Sequence, residues 1–207
     1  HPPAASGAPD PTGTLPVDHT VVSPPPAGTA DQDIAVRVAM EDGTVEQMAL
    51  DAYLWRVVAA EMPASFETEA LKAQAMAART YTASKMGQTV SAHPDADVCT
   101  DINCCQAYIT PEAARSNWGE NADAYTEKIT QAVAASSGLI LTYQGTPIQA
   151  VFFSSAAGRT VDAVEVWGGD VPYLSGVDSP EGEEVPNYHS TVEIPLEEFK
   201  AALLAEY

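Results

Sequence analysis

Basic residues are scarce in this chain: nine Lys plus Arg stand against 29 Asp plus Glu in 207 residues, a net charge of −20. Such a field repels nucleic acid and anionic lipid over most of the surface, which argues against DNA, RNA and acidic membranes as partners. Cysteine is scarcer still, with three residues, too few for a disulfide framework. No apolar run reaches the length of about eighteen residues that a membrane span needs. There is no HExxH pair to support a zinc hydrolase such as an amidase, and no internal repeat. What remains, 45% hydrophobic and 18% charged, is the composition of a globular protein with one well-buried core.

Residues 1–33 are rich in Pro, Gly, Ala, Ser and Thr and read as an extended Pro-rich linker ahead of a single domain over 34–207. A spacer of this kind suits tethering at a membrane or wall through a segment outside this chain; a terminus left after processing is the alternative. IAVRVAM (34–40) alternates as a strand, EDG turns, and VEQMAL (45–50) pairs back. Asp51 is placed to cap a helix from Ala52 that ends before Pro63, and Ser65 to cap a second running to Met86. Residues 87–122 read as an ordered loop region and Tyr125–Ser137 as a helix closed by Gly138. LILTYQ and PIQAVFFS form a second hairpin around a Gly-Thr turn, and a strand VEI precedes a helix from Leu196. The expected class is α+β, one domain with mostly antiparallel strands.

WRVVAAEMP (55–63) sets one acid, Glu61, at the end of an apolar helix. The negative end of the helix dipole and the apolar neighbours both disfavour a charged carboxylate there, as general acid catalysis requires. A surface glutamate that happens to precede a turn is the plain alternative. On the next helix Lys72 and Arg79 lie seven residues apart on one face, with Leu71, Ala75, Ala78 and Thr82 on another. Two cations in an acidic protein suit a polar or anionic ligand, or pairing with acids such as Glu69. His93, Cys99 and Cys105 follow one another at six-residue intervals in an Asp-rich loop. Imidazole plus thiolates is a zinc set with a fourth position open, Cys104 being another possible ligand. One disulfide or free thiols remain alternatives on spacing alone.

Three blocks, DAYLWRVVAAEMPASFETEALKAQAMAARTYTASKM, HPDADVCTDINCCQAY and FFSSAAGRTVDAVEVWGGDVPYLSGVDSP, closely resemble the motifs of the SpoIID domain, that of stage II sporulation protein D and its LytB relatives. They occur in the family's order over roughly residues 34–195. The resemblance implies a lytic transglycosylase, a lyase that cuts peptidoglycan glycan strands lacking stem peptides and leaves 1,6-anhydro-muramoyl ends. It makes Glu61 the acid and base, a role that one carboxyl can fill where ordinary glycoside hydrolysis generally wants two. It also makes Lys72, Arg79, Ser154, Ser155, Arg159 and Tyr173 candidates to line the glycan groove, with Trp167 as a further sugar-stacking face. SSAAGR departs from the family's Ser-Gly-Gly-Arg or Ser-Ala-Gly-Gly.

Many members carry a histidine and two cysteines in the second block, the latter cysteine directly before Gln-Ala-Tyr, so His93, Cys99 and Cys105 match and Cys104 is extra. Zinc there is expected to be structural, holding the loop beside the cleft, with polarisation of a substrate oxygen at an open fourth position as the alternative. Other cell-wall hydrolases are possible partners and the expected location is extracytoplasmic. A glycan-binding scaffold that activates another wall enzyme is the competing reading. In the family the domain continues, with further strands, past the segment resembling VEIPLEEFKAALLAEY, so this chain is expected to be a compact variant or to lack the last elements.

Overall fold

The structure is a computed structural model that describes residues 31–156, 158–181, 185 and 189–206, with no side-chain account of 205 and 206. The Pro-rich linker expected over 1–33 lies, as far as residue 30, outside the described residues. Its last three residues do not continue a linker. Asp31–Asp33 form a 3-10 turn in which Asp31 is 1% exposed.

Strand β1 (Ala35–Ala39) buries Val36 and Val38 and leaves Arg37 outward, the period-two pattern of a half-buried strand. It pairs antiparallel with β2 (Val45–Ala49), Val36 opposite Met48. The far edge of β1 takes a short parallel strand, β3 (Val98–Cys99), with Val38 opposite Val98 and Ala39 opposite Cys99. This pairing lay inside the region read as loop. Two residues are too few to show periodicity, and the partner is 60 positions away in sequence.

Helix α1 (Leu50–Glu61) begins earlier than expected: Ala49 is its N-cap, and Asp51 sits in the first turn with Oδ1 accepting from Ala52 N at 2.7 Å. It ends as predicted, because Met62 before Pro63 is extended. Helix α2 (Thr68–Lys85) starts at the N-cap Glu67, so Ser65 belongs to the turn before it. Helix α3 (Pro111–Trp118) forms inside the region expected to be loop, and Thr110 and Pro111 start it: the Thr110 hydroxyl accepts from Ala113 N at 3.2 Å and Pro fills the first turn. A 3-10 turn, Gly119–Asn121, leads into α4 (Ala122–Ala135).

The core is built where these helices cross β1. Tyr53, Leu54, Val57 and Val58 of α1 meet Leu71, Ala75 and Ala78 of α2 and Ile129, Ala132 and Val133 of α4, all at most 3% exposed. Alanines on the facing sides let the backbones approach closely. Trp55, Trp118 and Tyr125 stack edge to face beside it, at 5.7 and 5.8 Å between ring centres.

Beyond α4 the elements shorten. The second hairpin is only β4 (Thr142–Tyr143) with β5 (Thr146–Pro147). Its turn is Gln144-Gly145, with φ of 50° and 80°, the mirror-image geometry that suits strand twist. Pairing continues through Ile148 N to Leu141 O and then stops, so the strand expected through Ser154 does not form. β6 (Gly158–Arg159) pairs with β7 (Asp178–Ser179), and between them runs the short helix α5 (Ala163–Trp167). VEI is exposed coil ahead of α6 (Leu196–Glu206). The class is α+β, as expected, with one small parallel pairing added to antiparallel strands.

Candidate functional site

Glu61 is the last residue of α1 and is half-buried. Its Oε1 accepts a hydrogen bond from Ala107 N at 2.8 Å, a bond that crosses 46 residues of sequence. Among the described residues no other hydrogen bond reaches this carboxyl. One oxygen is thus held by backbone while the other stays available. The sequence offered no sign of Ala107, because a backbone donor has no residue signature.

Ala107 belongs to the His/Cys loop. His93, Cys99, Cys104 and Cys105 place one ligand atom each within 4.8 Å of one another. His93 is 4% exposed and its Nδ1 lies 3.0 Å from the carbonyl of Ala96. That carbonyl can only accept, so Nδ1 carries the proton and Nε2 presents its lone pair, 3.4 Å from Cys105 Sγ. This is how a metal-ligating imidazole is normally oriented. Cys99 N donates to Cys105 Sγ at 3.3 Å, which fixes that sulfur beside the imidazole. Burial pushes the Cys99 thiol up to about 12, so its ionisation needs a nearby cation. The donor set, spacing and tautomer all fit zinc.

The loop is tied to the sheet by Asp97. Its carboxylate receives Arg37 N at 3.0 Å and Arg37 Nη2 at 2.9 Å, and the Arg37 guanidinium holds the Asp97 carboxyl below its ordinary value. Tyr81 of α2 reaches over to donate to Cys104 O at 3.3 Å. Burial, and then the neighbouring Cys105, push its phenol above the usual range.

The predicted groove residues do not converge on Glu61 by direct contact. Arg79 is the clear correction. It is 2% exposed, and its guanidinium bonds Asp31 Oδ2 at 2.8 Å, with further bonds to Ser136, Val133 O and Leu139 O. A cation so enclosed anchors Asp31 to α2 and α4, with its N–H groups taken up inside the protein. The sequence gives no sign of this pair, because Asp31 falls in the Pro-rich stretch 48 residues before Arg79. Lys72 is part-exposed and pairs with Glu69 at 2.6 Å.

Ser155 Oγ donates to Glu181, whose other oxygen takes Ala156 N at 2.7 Å. Arg159 bonds Asp178 at 3.1 Å on the exposed β6–β7 pair, while Ser154 is exposed. Tyr173 accepts from Gln149 N at 3.0 Å and packs on Tyr143, ring centres 5.2 Å apart. Trp167 is 59% exposed. It borders a cavity of about 520 Å³ shared with Tyr81, Ser84 and Lys85 of α2 and with Gln149 and Val171. An indole face beside hydroxyl and ammonium groups is a surface that can receive a sugar ring.

A mixed α+β domain with a carboxyl at a helix end, bonded to the backbone of a His/Cys loop, defines the class. The SpoIID (stage II sporulation protein) family model matches residues 40–143, and the chain belongs to this family. It is 39% identical over 161 residues to stage II sporulation protein D of Bacillus subtilis, covering 77% of this chain and 47% of that protein. The homologue of Bacillus amyloliquefaciens is 38% identical over the same lengths. A Bacillus subtilis amidase enhancer is 38% identical over 118 residues, 57% of this chain and 14% of its own length. The chain therefore spans about half the length of the sporulation proteins it matches.

Proposed function

We propose that this protein acts on the bacterial cell wall, outside the cytoplasm, as a lytic transglycosylase on peptidoglycan strands stripped of stem peptides. The observation that carries the reading is Glu61: half-buried at a helix end, one oxygen fixed by Ala107 N–H, the other free for substrate. Glu61 gives its proton to the oxygen between N-acetylmuramic acid and N-acetylglucosamine as the bond to muramoyl C1 breaks. The carboxylate then takes the proton of the muramoyl C6 hydroxyl while C6–O closes on C1, and no water is consumed. Trp167 and Tyr173 are proposed to stack on sugar rings, with Lys72, Ser154, Ser155 and Arg159 as polar contacts toward the strand. His93, Cys99 and Cys105 would hold zinc, which would supply rigidity to the loop and thereby to the Ala107 donor. No step of the cleavage passes through it.

The test is mass spectrometry of products from stripped glycan strands with the wild type and with Glu61→Gln. Anhydro-muramoyl ends from the wild type, falling at least about 100-fold in the variant, are expected, since the amide keeps the shape but has no transferable proton. Reducing ends would indicate hydrolysis instead. The match to an amidase enhancer favours a second reading, a glycan-binding module that stimulates another wall hydrolase. Strand binding without products from either protein would select it.

A further inference from the structure

We infer that Cys104 is a fourth ligand, so that the metal in this protein sits in a closed site of three thiolates and one imidazole. The inference deepens the reading above and rests on a metal being bound at His93, Cys99 and Cys105. Those three alone would leave a position open to water or substrate.

Consecutive residues rarely serve one metal from a strand, because their side chains point to opposite faces. Here the backbone is coiled. Cys104 N and Cys105 N both bond to Asp101 O, at 3.0 and 2.8 Å, and Asn103 N bonds to Asp101 Oδ1 at 2.8 Å. This tight turn brings neighbouring side chains to one pole. As a result Cys104 joins the cluster whose ligand atoms all lie within 4.8 Å of one another. Zinc–sulfur bonds of about 2.3 Å set tetrahedral ligand atoms about 3.5–3.8 Å apart, so closure requires shifts of about 1 Å or less.

The Cys104 backbone is also clamped from α2 by the Tyr81 hydroxyl, 3.3 Å from its carbonyl, which keeps the thiol at the cluster. Half-buried soft donors at this distance favour a soft metal over solvent. Binding releases the protons of three thiols, and the imidazole contributes the Nε2 lone pair already directed at the cluster. Four protein ligands leave no coordination position for a substrate oxygen. The metal's influence on Glu61 then runs through Cys105, Gln106 and the Ala107 N–H.

The full 207-residue chain is loaded with Zn²⁺ and its zinc X-ray absorption recorded; the wild type and Cys104→Ser are then loaded with Co²⁺ and titrated with azide. We expect three sulfurs and one nitrogen around zinc and a tetrahedral cobalt spectrum that azide leaves unchanged. The variant should hold metal at least about tenfold more weakly in chelator competition and show an azide-sensitive spectrum. A two-sulfur shell in the wild type, or equal affinity and spectra in the two proteins, overturns the role of Cys104 while leaving a metal site. A chain that takes up no stoichiometric metal, or whose cysteines are found paired as a disulfide by mass, overturns the metal reading itself. Should Cys104→Ser fail to fold, the wild-type sulfur count alone decides.

Discussion

A guanidinium with 2% of its side chain exposed must place its N–H groups on acceptors, and Arg79 does so on Asp31, a hydroxyl and carbonyl oxygens. Asp31 is satisfied in turn: it takes two Arg79 nitrogens and Gly138 N. Removing one member of such a pair strands a buried charge, which typically costs about 3–5 kcal/mol. Asp31→Asn is expected to lower stability by an amount near the lower end, because the amide oxygen still accepts. Arg79→Met should cost more, and Arg79→Met with Asp31→Leu less than Arg79→Met alone. Urea unfolding of the three proteins checks the order. At Glu61 the same scale of reasoning applies differently: the single bond from Ala107 positions the carboxyl without enclosing it.

At the scale of elements, the molecule divides by how its segments find partners. Helices α1, α2 and α4 interlock through small and branched apolar residues. The β6–β7 pair instead depends on backbone fit. A Cβ on Gly176 would sit 2.7 Å from Thr160 O, closer than real contacts allow, and the obstacle is backbone held in the pair. Gly176→Ala is expected to destabilise this region by about 1–3 kcal/mol, read as faster amide exchange at Thr160 and Val177, whose N–H groups bond across the pair. Exchange at Val57 and Val58 should not change. Elements with clear local chemistry were legible in order of residues: the first hairpin, the Pro63 stop and the alanine-rich α2. α3 carries a Thr-Pro start signal, yet its eight residues show too little periodicity to mark it as a helix.

For the whole molecule, charge and pH act through a few buried groups. Asp97 has a native value below its ordinary one because Arg37 bonds and faces it. Between those two values the unfolded chain binds the extra proton, so stability rises with pH there. The contribution is complete above the unfolded value of about 3.9 and is lost as pH falls through the native value. Asp97→Asn should therefore flatten the acid limb of a stability-against-pH curve measured by chemical denaturation between about pH 2 and 5, and the wild type should show the steeper loss. The core residues run from Val36 to Val133, largely within the family match at 40–143. By contrast, Val151, Phe153, Val161, Trp167 and Leu204 are each more than half exposed.

The order of residues determined much by itself: the class, the first hairpin, the helix end that carries Glu61, and the imidazole and thiols suited to a metal. Each follows from short-range chemistry, the period of apolar positions, proline geometry and ligand type. Only the tertiary structure decided which groups meet. It gave Arg79 to Asp31 across 48 residues, set Ala107 N–H on Glu61 across 46, and gathered Cys104 with His93, Cys99 and Cys105. These depend on long-range packing and on backbone donors, and a backbone donor is the same in every residue but proline.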